Sequence, residues 1–198
     1  MSRLPHALLI TVLLTGAAGD AHAQWQVTIT NATANQIISP PIVVSHGTSA
    51  DLWEVGRPAS EELAAVAEDA DAAGLLALLG SLAGVNDFAI AGDVLLPGES
   101  VTLEITPGAR LSALGMLVTT NDTFFGLDSV RVRGGSATFY APAYDAGSEN
   151  NTQRCAHIPG PPCGNPFVRV TGGAEGFVHI SPGIVRKGQL TPRLYGWD

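Results

Sequence analysis

Short apolar runs broken by glycine and proline set the strongest limit on what this chain can fold into. Trp25-Gln26-Val27-Thr28-Ile29-Thr30 alternates apolar with polar residues, the pattern of a half-buried strand. Ile42–His46 is a second such run, and Val101–Ile105 alternates again after the Pro97-Gly98-Glu99-Ser100 turn signal. Phe88–Ile90 and Val94–Leu96 flank a Gly-Asp turn. Leu111–Thr119 is more continuously apolar, as expected of a central strand, and Ser129–Val132, Ala137–Tyr140, Phe167–Val170 and Phe177–Ile180 complete the set. With 23 glycines, 13 prolines and only 14% charged residues, strands joined by turns are favoured over a helical bundle. The expected fold is all-β, an antiparallel β-sandwich. One stretch breaks the pattern. Ser60 can cap a helix whose first turn carries Glu61 and Glu62, and Leu63 and Val66 follow at helical spacing. Asp71 can cap a second helix carrying Leu75, Leu76, Leu78 and Leu79, ended by Gly80 and Gly84. The sequence thus predicts a short helical insertion near residues 60–82.

Met1–Ala23 reads as a secretory signal peptide. Arg3 gives the positive start, Ala7–Leu14 is an apolar core too short to span a bilayer, and Ala21-His22-Ala23 is a small-x-small cleavage pattern. Processing after Ala23 leaves residues 24–198, a length suited to one domain with a sizeable core. The expected location is secreted, periplasmic or extracellular, with no integral membrane segment after processing. Arg3 and Asp20 leave together, so the net charge stays at -8. That acidic balance, with no basic stripe, argues against nucleic acid and against electrostatic docking on anionic lipid. Cys155 and Cys163, the only two cysteines, are close enough in an exported chain to predict a local disulfide across the intervening Ala-His-Ile-Pro-Gly-Pro-Pro. The alternative, a metal site with His157, lacks a complete zinc spacing.

Two acidic, turn-prone segments stand out among the strands: Asn121-Asp122-Thr123 and Asp145-Ala146-Gly147-Ser148-Glu149. Asp145 and Glu149 lie four residues apart, with Gly147 between them to let the chain curl back. Carboxylates on one tight loop repel unless a cation lies between them, and hard oxygen ligands on loops are what calcium prefers. A sandwich can bring Asp122 beside them. The expected cofactor is Ca2+, held by Asp122, Asp145 and Glu149 at one end of the β-domain; the alternative is a pair of solvated turns, since Asp, Gly and Ser are ordinary loop residues.

A further set of segments carries a resemblance. His46, Leu52-Trp53-Glu54-Val55-Gly56, Pro58-Ala59-Ser60-Glu61 and Glu68 are followed by Pro97-Gly98-Glu99-Ser100-Val101, Thr120–Asp128, Tyr144–Glu149 and Gly176–Ile180. In this order they resemble the spondin N-terminal domain family over nearly all of the chain after the leader. The resemblance implies a β-sandwich similar to calcium-dependent membrane-binding domains. It also implies a calcium at one end, with ligand positions matching Asp122, Asp145 and Glu149. Glu149 departs from the family pattern, where an aspartate often stands. The end at Gly196-Trp197-Asp198 departs too, because many bacterial members continue into another strand. An absent strand exposes a sheet edge and leaves the oligomeric state open.

Enzyme motifs are missing. Gly134-Gly135-Ser136-Ala137-Thr138 lacks the closing glycine of a nucleophile elbow, and no glycine-rich loop opens a helix as a phosphate site requires. After the leader only His46, His157 and His179 remain. His46 reads as a structural histidine and Trp53 as a core residue, while His179 is expected on the opposite face from Val178 and Ile180. The function expected from sequence is a non-enzymatic, calcium-stabilised adhesion or interaction module that presents its surface to an extracellular protein or glycan. The alternative is a secreted carbohydrate-binding domain or a metal-dependent hydrolase.

Overall fold

The computed structural model describes residues 8–15, 24–133 and 135–197. Of the predicted leader it describes only Leu8–Thr15, so the junction after Ala23 lies outside the described residues, as do Gly134 and Asp198.

Two antiparallel sheets pack face to face, as the strand pattern predicts. The first contains β1 (Leu8–Thr15), β2 (Gln24–Asn31), β5 (Ser100–Ile105) and β8 (Ser136–Ala141), in the order β5-β2-β1-β8. The second contains β3 (Ile42–His46), β4 (Val85–Ile90), β6 (Arg110–Met116), β7 (Thr123–Val130), β9 (Ala143–Asp145) and β10 (His179–Ile180), in the order β10-β9-β7-β6-β3-β4. The sandwich core lies between them. Trp25, Val27 and Ile29 of β2 meet Val43, Leu111, Ala113, Phe125 and Leu127 of the facing sheet.

The helical insertion forms α1 (Glu61–Asp69) and α2 (Ala73–Leu79). Ser60 caps α1 by accepting the Leu63 amide at 3.2 Å, and Asp71 accepts the Ala73 amide at 3.0 Å ahead of α2. These bonds satisfy amides that a helix start would otherwise leave orphaned. Leu63, Val66, Leu75 and Leu79 then pack onto Ile42, Val44, Leu114 and Phe124, the other face of the six-stranded sheet. The molecule therefore has three layers: helices, six strands, four strands. β3 is buried at every position because both of its faces are covered, which explains why its sequence does not alternate.

Several elements differ from the sequence reading. Leu8–Thr15, which overlaps the apolar core Ala7–Leu14 of the expected leader, is a strand between β2 and β8, since an uncharged apolar run fits a strand as well as a leader. Phe124–Leu127, which the strand pattern did not assign, forms half of β7, and Ser129–Val132 contributes only its first two residues. Ala143–Asp145 is a short strand that the pattern did not reveal. Val94–Leu96 makes only an isolated bridge through Leu95 to Ile38. Phe167–Val170 is not a strand. Phe167 is 75% exposed and adopts φ 61°, so its apolar sequence never enters the core. Phe177–Ile180 shrinks to a two-residue strand.

Cys155 and Cys163 form a disulfide with Cα atoms 4.7 Å apart, as the sequence predicts. It closes a loop in which the only regular element is the single 3-10 turn Cys155–His157. Cross-linking so short a loop removes unfolded-state freedom worth about 2–3 kcal/mol in the chain-entropy description. The Cys155→Ser/Cys163→Ser double variant should therefore lose stability of about that size in urea unfolding. An unchanged midpoint contradicts this.

Candidate metal centre

Asp122 and Asp145 are brought together by the sheet itself. Thr123 opens β7 opposite Asp145, the last residue of β9, and the Ala146 amide donates to the Asp122 carbonyl at 3.0 Å. This pairing fixes the two aspartates side by side at the sheet's end. Asp122, Asp145 and Glu149 are all buried, at 0%, 0% and 1% exposure, rather than solvated.

Each carboxylate has a distinct set of partners. Asp122 Oδ2 accepts the Ser148 amide and the Glu149 amide, both at 2.9 Å, while Oδ1 is buried with no hydrogen-bond partner among the described residues. Asp145 Oδ1 accepts the Gly147 amide at 2.8 Å, and Oδ2 accepts from Asn151 Nδ2 at 2.5 Å. The turn needs glycine at 147. Its φ is +66°, and a Cβ there would collide with the Phe177 backbone. Glu149 turns toward another layer, with Oε1 accepting the Val170 amide at 2.5 Å. The Val170 segment is tied in turn to α1 by Arg169, which contacts Glu68 at 2.9 Å and Glu61 at 3.0 Å. So the structure places Asp122 next to Asp145 and directs Glu149 toward the helical insertion.

Burial dominates the electrostatics. It pushes the Asp122 carboxyl up to about 8, with the neighbouring Asp145 adding to the rise and the Ser148 and Glu149 amides opposing it. Burial also raises Asp145, against the pull of Asn151, Gly147 and His179. Glu149 rises to about 7, again chiefly by burial, with Glu68 nearby as a like charge.

Two residues that sequence reasoning missed form a metal-capable group with Asp145, a group that contains neither Asp122 nor Glu149. Asp145, Glu175 and His179 each offer a ligand atom, and these atoms lie within 4.8 Å of one another. His179 Nδ1 lies 2.9 Å from the Ile180 carbonyl, which can only accept, so Nδ1 carries the proton. In the neutral ring the Nε2 lone pair then points toward Asp145 Oδ1, 3.5 Å away. A lone pair facing a carboxylate oxygen is unfavourable unless a proton or a cation lies between them. A carbonyl bond at the remote nitrogen is also how metal-bound histidines are held. The alternation argument had set His179 apart from Val178 and Ile180, but those two differ sharply from each other: Val178 is buried and Ile180 is 56% exposed. Glu175 sits in a glycine-rich loop that gives no periodic signal. Only the contact with Asp145 reveals either residue.

The remaining single-residue expectations are settled locally. His46 is buried with both ring nitrogens engaged, by the Gly47 carbonyl at 2.7 Å and Ser112 Oγ at 2.9 Å. Trp53 is a core residue, edge-on to Phe124 at 5.4 Å between ring centroids. His157 has no thiolate partners for a zinc site, since both cysteines are in the disulfide. Among the described residues no helix is long and apolar enough to cross a membrane.

No protein-family model matches the chain, and no curated protein matches its sequence.

The raised carboxyls set the pH dependence of the metal-free protein. A carboxyl held above its ordinary value of 3.8 keeps its proton longer in the folded than in the unfolded chain. Its contribution is intact below that value and is lost as pH rises toward about 8. The metal-free melting temperature should therefore fall between about pH 5 and about pH 8. In Asp122→Asn, which cannot ionise at 122, the fall should be shallower. A melting temperature that rises across this range in EDTA contradicts the assignment.

Proposed function

We propose that this chain is an exported, non-enzymatic interaction module of the spondin N-terminal kind. On this reading a calcium ion at the Asp122–Asp145 end holds the surface loops in place for an extracellular protein or glycan. The observation that carries the reading is the buried, unpartnered Asp122 Oδ1 beside a second buried carboxylate. Two adjacent buried anions with a free lone pair ask for a cation more than for a catalytic proton. Asp122 and Asp145 supply hard oxygen donors. Glu149, engaged by the Val170 amide, contributes at the periphery, and backbone carbonyls and water fill the six to eight positions usual for calcium. The disulfide and the leader-like start support export to an oxidising compartment.

Calcium in this role supplies positive charge and loop order. The cation offsets the repulsion between Asp122 and Asp145. It thereby fixes the Ser148 and Glu149 amides that donate to Asp122, and through Glu149 the Val170 segment above α1. A hydrolase reading draws no support from the site. The remaining buried acid nearby, Glu68, is paired with Arg169, and the Ser148 hydroxyl beside Asp122 Oδ2 at 3.3 Å has no histidine or lysine as a hydrogen-bond partner among the described residues.

A second reading of the metal has its own observation. His179 Nε2, buried and without a hydrogen-bond partner, adds a nitrogen donor to Asp145 and Glu175. Imidazole suits zinc, copper or nickel better than calcium. The two readings separate in one thermal-melting series run in EDTA, calcium, magnesium and zinc. Calcium at a hundredfold excess over Kd should add about 2.7 kcal/mol, which for a domain of this size is a rise of roughly 5–10 °C. Magnesium should do less, because it gives up water reluctantly. Asp145→Asn should abolish the rise, Glu149→Gln should reduce it, and His179→Ala should leave it in place. Zinc alone shifting the melt, with loss in His179→Ala, favours the second reading. A wild-type melt that no divalent ion moves removes both.

A further inference from the structure

The four-stranded sheet is held together at its centre by a segment that the leader reading removes. β1 pairs with β2 along its whole length, from Leu8 opposite Asn31 to Thr15 opposite Gln24, and with β8 from Leu8 opposite Ala141 to Leu13 opposite Ser136. Both ladders are antiparallel. Cleavage after Ala23 takes this strand away and leaves two facing rows of backbone donors and acceptors on β2 and β8. Neither row carries the usual protection of an edge. β2 reads Gln-Trp-Gln-Val-Thr-Ile-Thr-Asn and β8 reads Ser-Ala-Thr-Phe-Tyr-Ala, with no charge and no proline in either. The two flanking strands carry core residues: Trp25, Val27, Ile29 and Ala141 are buried in the sandwich, and Phe139 packs against them.

We propose that the gap between β2 and β8 is a strand-binding site. In the processed chain it takes an extended strand of about eight residues, apolar at every second position, from a partner protein, running antiparallel to both neighbours. The proposal rests on the leader reading for when the gap opens, and on the observed ladders for what fills it. Register defines the chemistry of the occupant. Ile10, Val12 and Leu14 stand opposite Ile29, Val27 and Trp25, the core-facing row of β2, whereas Leu9, Thr11 and Leu13 stand opposite Thr30, Thr28 and Gln26. Partners across a ladder share a face, so the occupant must be apolar at every second position and is free at the others. A second copy of the chain is a poor source of such a strand. Its comparable uncharged run, Leu111–Met116, is buried in the six-stranded sheet between β3 and β7.

The test uses exported protein whose amino terminus has been read by mass spectrometry, with a synthetic peptide of residues 8–15 flanked by lysines. With Gln24 at the terminus, the peptide should raise the melting temperature saturably and slow hydrogen exchange in β2 and β8. A peptide carrying Leu9→Lys and Leu13→Lys should act like the parent, and one carrying Ile10→Lys and Val12→Lys should have no effect. Equal behaviour of the two variants, or no effect of the parent, overturns the site. So does a processed dimer whose β2 and β8 amides are already protected, which puts a second copy in the gap. With Met1 retained, the leader reading fails while the gap is tested within the full chain. Ile10→Lys with Val12→Lys should then lower the melting temperature and the parent peptide should restore it; an unchanged melt overturns the site.

Discussion

Two carboxylates buried side by side cannot both stay charged without a counter-charge, and the arrangement around Asp122 and Asp145 follows from that constraint. Each is fully buried, and each is pushed toward its protonated form chiefly by the loss of water. The surrounding backbone offers partial relief. Two amides donate to one oxygen of Asp122, and Gly147 and Asn151 donate to Asp145. Asp122 Oδ1 receives nothing. A carboxyl held in place by backbone amides, with one buried oxygen left without a partner among the described residues, is what motivates the cation proposed for this site.

The fold puts that pair where loop order depends on it. β7 and β9 bring the aspartates into register, and the six-stranded sheet is stiffened on both faces, by the helices on one side and the smaller sheet on the other. Phe124, one residue beyond Thr123, packs with Trp53 and Tyr144 directly beneath the site. Gly126 makes this possible, because a Cβ there would meet the rings of Trp53 and Tyr144. The aspartates thus stand on a rigid aromatic floor. In the segments above them, the Ser148 and Glu149 amides donate to Asp122, Asn151 donates to Asp145, and the Val170 amide donates to Glu149.

Much of this was legible in the sequence, and the failures have physical causes. Alternation located β2 and β5 because each has one covered face, and the caps at Ser60 and Asp71 located the helices. Asp122, Asp145 and Glu149 stood out because Asp145 and Glu149 share one tight loop where like charges repel, and because all three match ligand positions in the resemblance; acids in turns alone are common. Glu175 and His179 stayed hidden because their link to Asp145 is purely tertiary. β1 stayed hidden for a different reason. An eight-residue apolar run fits both an export leader and a buried strand, and the composition of the run alone does not choose between them. Phe167–Val170 misled in the opposite direction: its apolar residues Phe167 and Val168 are exposed rather than entering a sheet.

The central claim is that a cation resides between Asp122 and Asp145. The most direct measurement is an anomalous difference map from crystals soaked in terbium, which substitutes for calcium and scatters strongly. The account predicts a single dominant peak bonded to Asp122 Oδ1 and to an Asp145 oxygen, at about 2.3–2.6 Å, and its loss in Asp122→Asn crystals. A map with no peak there, or a peak on Glu175 and His179 that leaves Asp122 Oδ1 untouched, contradicts it.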